Sequence, residues 1–193
     1  MDSERAGGPA VLDRRQSLAQ AALEKIAEKG LEGLRLRDVA AAVGIDHSTI
    51  HHYFATKEDL LAAVADLATR PFWESSPHDG TARERLERHL DLLAAMIASR
   101  PELYAVLREL DLRAGRDPKM AAIIDAREDS WRKVLLDVFE EGMPSGAWAE
   151  GLEPSGTVEL TIATVKGASL RPKSARRVIA QLARLLIRSS SAS

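Results

Sequence analysis

Between Asp46 and Ala55 the chain reads His-Ser-Thr-Ile-His-His-Tyr-Phe, a row of side-chain donors broken by Ile50. Imidazoles, hydroxyls and a phenol can meet phosphate oxygens and the edges of bases. If the segment is helical, Ile45, Ile50 and Tyr53 or Phe54 supply its apolar face. His47, Ser48, Thr49, His51 and His52 then lie on or beside the outward one. A short helix presenting such a face fits the major groove of B-form DNA. His47 and His51 are also four residues apart, so both could face one metal ion. Two ligands do not make a site, and no HExxH arrangement accompanies them. Neither a metal nor a cofactor is expected.

The flanking sequence contains the elements that would hold this face in place. Val39 and Val43 recur one helical turn apart, Ala40 is small where a second helix must cross closely, and Gly44 sits where the turn needs a left-handed backbone. Asp46 is placed to cap the next helix. Residues 36–54 thus have the spacing of a helix-turn-helix. A helix over about 13–29, with Leu18, Ala22 and Ile26 in one stripe and Gly30 as its stop, precedes it. A helix capped by Thr56 and carrying Leu60, Leu61, Val64 and Leu67 follows it, ended by Arg70-Pro71. Beyond a linker at 75–80, apolar residues recur at helical spacing over 81–99, from Pro101, over 117–141, over 154–168 and over 172–188. No stretch alternates with the period of a strand. The expected fold is all-α: a DNA-binding domain at 13–73 and a helical domain at 74–188. Residues 1–12 and 189–193 are expected to be disordered tails.

Composition narrows the classes. The 193 residues include no cysteine, which excludes a disulfide scaffold, thiol catalysis and cysteine-ligated metal. Aromatics make up 4%, so aliphatic side chains and alanine must build the core. No apolar run approaches the roughly 18 residues that a spanning helix requires. The N-terminus carries acids and no apolar secretory core, so a cytoplasmic location is expected. Net charge is −2, and acids outnumber bases within the first 70 residues too. DNA contact must therefore come from a local surface and not from bulk charge. No GxSxG, P-loop or GxGxxG occurs, and no enzymatic activity is expected.

The run Gly44-Ile-Asp-His-Ser-Thr-Ile-His-His-Tyr-Phe-Ala-Thr-Lys-Glu-Asp-Leu-Leu61 closely resembles the TetR family of bacterial regulators. So does the upstream Leu34-Arg-Leu-Arg-Asp-Val-Ala40. The resemblance covers about residues 14–67 with specific motifs. It is looser beyond, where Gly146-Ala-Trp-Ala-Glu-Gly-Leu-Glu-Pro154 is similar to the family's loop before its eighth helix. It implies that Thr49 approaches bases or phosphates and that Lys57 contacts the DNA backbone, with Arg35, Arg37, His47, Ser48, His51, His52 and Tyr53 completing the surface. Two positions depart from the family pattern. Arg35 stands where a capping Ser or Thr is usual, and His51 where a tyrosine is common.

The last two helices suggest an interface. Val178, Ile179, Leu182, Leu185 and Leu186 form an apolar face flanked by arginines, complemented by Ile162, Val165 and the small Ala163 and Gly167. Two such helices per subunit can build an intersubunit four-helix bundle, as TetR-like proteins do. Closure of an intramolecular core by the same residues is the competing expectation. The resemblance also implies an effector site enclosed by the helices of 81–141. Met96, Tyr104, Leu107, Asp111, Arg127 and Trp131 are its candidates, because polar or bulky residues there interrupt apolar stripes. An aliphatic domain with a few embedded polar groups suits a mostly apolar small molecule. The expected protein is a homodimeric repressor that binds duplex operator DNA and is released by a small molecule. The alternative is a helical ligand-binding or enzymatic bundle with a vestigial helix-turn-helix.

Overall fold

The computed structural model describes residues 9–74 and 78–188. Helix α1 spans Pro9–Lys29, α2 Leu36–Ala42, α3 Lys57–Thr69, α4 Pro71–Glu74, α5 Ala82–Ser99, α6 Pro101–Ala114, α7 Pro118–Gly142, α8 Pro154–Ser169 and α9 Pro172–Leu186. A 3₁₀ helix at His47–His52 lies between α2 and α3. Among the described residues no strand occurs, and the one isolated bridge joins Trp148 to Ile187.

The helix ends follow from local chemistry. Thr56 and Thr81 each accept from a backbone N–H three residues on, while Asp59 and Glu84 reach back to the capping residue. Both α3 and α5 therefore begin with a capping box. Glu153 accepts from Ser155 and Gly156 at the start of α8, which holds its carboxyl below the usual carboxylate range. Helix α1 starts at Pro9, so residues 9–12, expected in a disordered tail, are helical. The rest of that tail, all of the 189–193 tail and the 75–77 portion of the linker lie outside the described residues.

The chain divides into two compact units, and neither is continuous in sequence. One comprises residues up to Arg70 together with Ala105–Arg127, and the other Pro71–Tyr104 with residues from Glu128 onward. The linear pattern predicts a single boundary between 73 and 74. The reason for the difference is visible in particular bonds. Glu109 accepts from the Leu31 amide at 3.2 Å, Arg113 pairs with Glu32, and Arg127 pairs with Asp66 at 3.2 Å.

In the first unit α1 packs on α2 and α3. Leu18, Ala22, Ile26, Val39, Ala40, Ile50, Phe54, Leu60 and Val64 form its buried core. In the second unit α9 lies against α5 and α8. Its loop between α7 and α8 is fixed by Trp148. The indole N–H donates to the Phe139 carbonyl at 2.8 Å, and Ala149 N donates to the Leu186 carbonyl at 2.8 Å.

Candidate nucleic-acid interface

The outward row is set by the turn before it. Gly44 has φ +72°, a left-handed conformation that ends α2. The Ala40 carbonyl accepts from both Val43 N at 3.2 Å and Ile45 N at 3.0 Å, closing the turn. Asp46 then accepts from Ser48 N at 2.8 Å and from its hydroxyl at 2.6 Å. These two bonds, the hydroxyl's first, hold the Asp46 carboxyl below its ordinary value. The segment from His47 to His52 winds as a 3₁₀ helix, tighter than the α-helix that the spacing suggests. Ile50 is fully buried and Phe54 nearly so, which anchors the segment from below.

His47, Ser48, His51 and His52 are exposed, whereas Thr49 and Tyr53 are half-buried. The His47 and His51 rings stand edge to face with centroids 5.8 Å apart. No group of three or more His, Asp or Glu able to hold a metal occurs among the described residues. Arg35 and Arg37 are exposed and, with Leu36 and His47, line an open groove of about 540 Å³. Arg35 stands at the N-cap of α2 without a side-chain capping bond, leaving its guanidinium available to the surface. Arg37 lies 3.5 Å from Asp38.

Three cations tie this unit together through backbone carbonyls. Lys57 Nζ donates to Leu34 O at 3.2 Å, Arg14 donates to Val43 O at 3.3 Å, and Arg15 donates to Tyr53 O. Arg15 also lies over the Phe54 ring, 4.1 Å from its centroid. An ammonium has three donors, so Lys57 keeps two for a phosphate. Arg14 and Arg15 are not legible in these roles from sequence, because their partners are carbonyls far along the chain.

The small-molecule candidates fall in different places. Met96, Tyr104 and Trp131 belong to the second unit, and Leu107, Asp111 and Arg127 to the first. Tyr104 and Trp131 are buried, and both lie beside Phe72, which the sequence reading passed over. Met96, Leu107, Asp111 and Arg127 are half-buried.

The proposed interface residues divide as well. Ile162, Val165, Ile179, Leu182 and Leu186 are buried within the single chain, so they are core residues of the second unit and not surface ones. An amphipathic α9 must turn its strongest apolar stripe toward α5 and α8. Ala163, Gly167, Val178 and Leu185 face outward. Leu160 and Leu170 extend that outward row and are 53% and 64% exposed; the sequence reading missed them because α8 is apolar on both sides.

Comparison with known proteins agrees with this geometry. Residues 18–64 match the family model for bacterial regulatory proteins of the tetR family. The chain is similar to the HTH-type transcriptional repressor KstR2 of Mycolicibacterium smegmatis, with 26% identity over 72% of this chain and 70% of that protein. It is also similar to the fatty acid metabolism regulator protein of Bacillus subtilis, with 28% identity over 76% and 80%. Among solved structures, that of the fatty acid degradation regulator FadR from Bacillus halodurans shares the fold. Its TM-score is 0.77 at 19% identity, covering 98% of this chain and all of the other.

Proposed function

We propose that the chain is a regulator of the TetR type, a homodimeric repressor of a near-palindromic operator, released by a small molecule. The observation that carries the reading is the exposed donor row from His47 to His52, capped by Asp46 and seated on Ile50. Two copies related by a two-fold axis would address two half-sites on one face of the duplex. Lys57, Arg35 and Arg37 would grip phosphates beside each half-site, and Thr49 would contribute to sequence choice.

Support for assembly comes from the outward side of α8 and α9. Leu160, Leu170 and Leu185 are each more than half exposed, and Val178 is 38% exposed. A side-chain carbon at Gly167 would meet nothing within 4 Å. Glycine inside an exposed helix costs about 1 kcal/mol relative to alanine. Its use is explained where another helix must approach closely. The exposed apolar row is what a second copy would cover.

The effector reading rests on the second unit's buried polar groups and on the family. Operator release would be a population shift, in which the ligand favours a conformer whose paired recognition helices no longer match DNA. The test is direct. Genomic fragments retained by the protein are selected, and affinity for the best one is measured against salt. Lys57→Ala should weaken binding to all sequences alike and flatten the logarithmic salt slope by about one. Thr49→Ala should alter discrimination between sites. Affinity and slope both unchanged in Lys57→Ala would remove the start of α3 from the interface.

A further inference from the structure

The second unit encloses four rings in sequence. Phe72 lies 6.1 Å from Tyr104 and 5.1 Å from Trp131, measured between ring centroids, and Trp131 meets His89 edge-on at 6.3 Å. The Trp131 indole N–H donates to His89 Nε2 at 3.0 Å. An indole nitrogen can only donate, so Nε2 must carry the lone pair. Burial lowers the His89 pKa to about 4, and the ring is neutral near pH 7. Its single N–H is therefore on Nδ1. That atom is buried and has no hydrogen-bond partner, and the same holds for the Tyr104 hydroxyl. Burial raises the Tyr104 phenol above its ordinary value, which keeps it protonated. His89 and Tyr104 are only 2% and 3% exposed.

Two neutral donors thus stand at the two ends of one aromatic row, buried and without an acceptor. Buried polar groups in folded proteins are nearly always paired, so each exception needs a reason. The rest of the constellation is apolar and flat. A neutral carbonyl oxygen accepts from such a donor without carrying a charge into the apolar surroundings. A carboxylate would have to be stripped of water against a neutral imidazole, which is costly.

We propose that the His89 Nδ1–H and the Tyr104 hydroxyl are the polar anchors of the small-molecule site, and that they select an apolar compound with a flat ring and a neutral carbonyl oxygen. This rests on the effector reading above, and it adds the ligand's chemical class and the two atoms that recognise it. Trp131 sets the imidazole tautomer and so acts as a positioning residue.

The probes are hexanophenone, its carbonyl-free counterpart hexylbenzene and the acid 6-phenylhexanoate, titrated into the full chain. The ketone should bind about tenfold tighter than the hydrocarbon, as one or two new hydrogen bonds allow. Tyr104→Phe should remove most of that gap without weakening hexylbenzene. The ¹⁵N resonance of His89 Nδ1 should move with the ketone and stay with the hydrocarbon. Unliganded Tyr104→Phe should be as stable as the parent chain. A clear loss of stability there would mean that the hydroxyl already holds an ordered water, and would overturn the proposal. So would an unchanged ketone affinity in Tyr104→Phe, a preference for the acid, or no binding by any of the three. Operator affinity separates this inference from the reading it rests on. A ketone that shows the expected affinity gap and ¹⁵N shift but leaves operator affinity unchanged keeps the anchors and defeats the effector reading. A ketone that releases DNA equally from parent and Tyr104→Phe keeps the effector reading and defeats the anchors.

Discussion

Gly44 in the recognition turn and Gly142 at the end of α7 do opposite jobs. At Gly44 the backbone is left-handed and a side-chain carbon would meet nothing within 4 Å. The requirement is one of torsion alone. At Gly142 no positive φ occurs, but a side-chain carbon would lie 2.4 Å from the Trp148 ring. There the requirement is space. The turn presents exposed donors and is secured by backbone bonds, whereas the loop is secured by a buried indole. The first unit keeps its working surface outside its packing, and the second keeps aromatic groups inside it.

Acid should separate the two regions most. Among the described residues, His89 is the buried histidine, and its folded pKa of about 4 lies below the unfolded value near 6.5. The unfolded chain then binds more protons between those values. Stability should fall as pH drops from about 6.5 toward about 4, by on the order of 3 kcal/mol. All three tryptophans, at 73, 131 and 148, lie in the second unit, so urea melts followed by tryptophan fluorescence report on it. His89→Gln should flatten this pH dependence, and an unchanged slope would assign it to other groups.

Gly142→Ala should cost about 2 kcal/mol, since the indole cannot swing away without losing its bond to Phe139 and its edge contact with that ring. Operator affinity per folded molecule should be unaffected. Gly44→Ala should cost less, about 1 kcal/mol, and act through the left-handed backbone. It should also weaken operator binding, because the turn aims the donor row. Equal stability losses, with DNA binding spared in both, would erase the contrast. The smallest effect on folding belongs to the outward row. Leu160→Glu with Leu185→Glu should leave helicity within about 0.5 kcal/mol of the parent and yield monomers in sedimentation. Leu182→Glu, by contrast, would strike the protomer's own core.

Short-range features were readable from the chain. The Thr56 cap, the Asp46 cap, the Gly44 turn and the starts of α8 and α9 at proline depend on neighbours within four residues, and the structure has all of them. Long-range pairing was not readable. Nothing around Glu109 announces that it will accept from Leu31, and so the grouping of 105–127 with the first unit is invisible in a linear pattern. The interface residues show the same limit. Periodicity found the stripes of α8 and α9, but both stripes of α8 are apolar, and only packing decides which one the protomer itself consumes. Nothing in the linear sequence marks His89 as a donor, because its tautomer is fixed by a tryptophan 42 positions away.

The bonds from Arg14, Arg15 and Lys57 to the carbonyls of Val43, Tyr53 and Leu34 bear on how fast and how costly docking is. Long cationic side chains normally forfeit much of their rotational freedom when they settle on DNA. In the proposed complex part of that ordering would precede docking, because these bonds already join the turn, the 3₁₀ helix and the start of α3. The entropy of binding should be correspondingly mild, and association should be set by diffusion and orientation more than by local rearrangement.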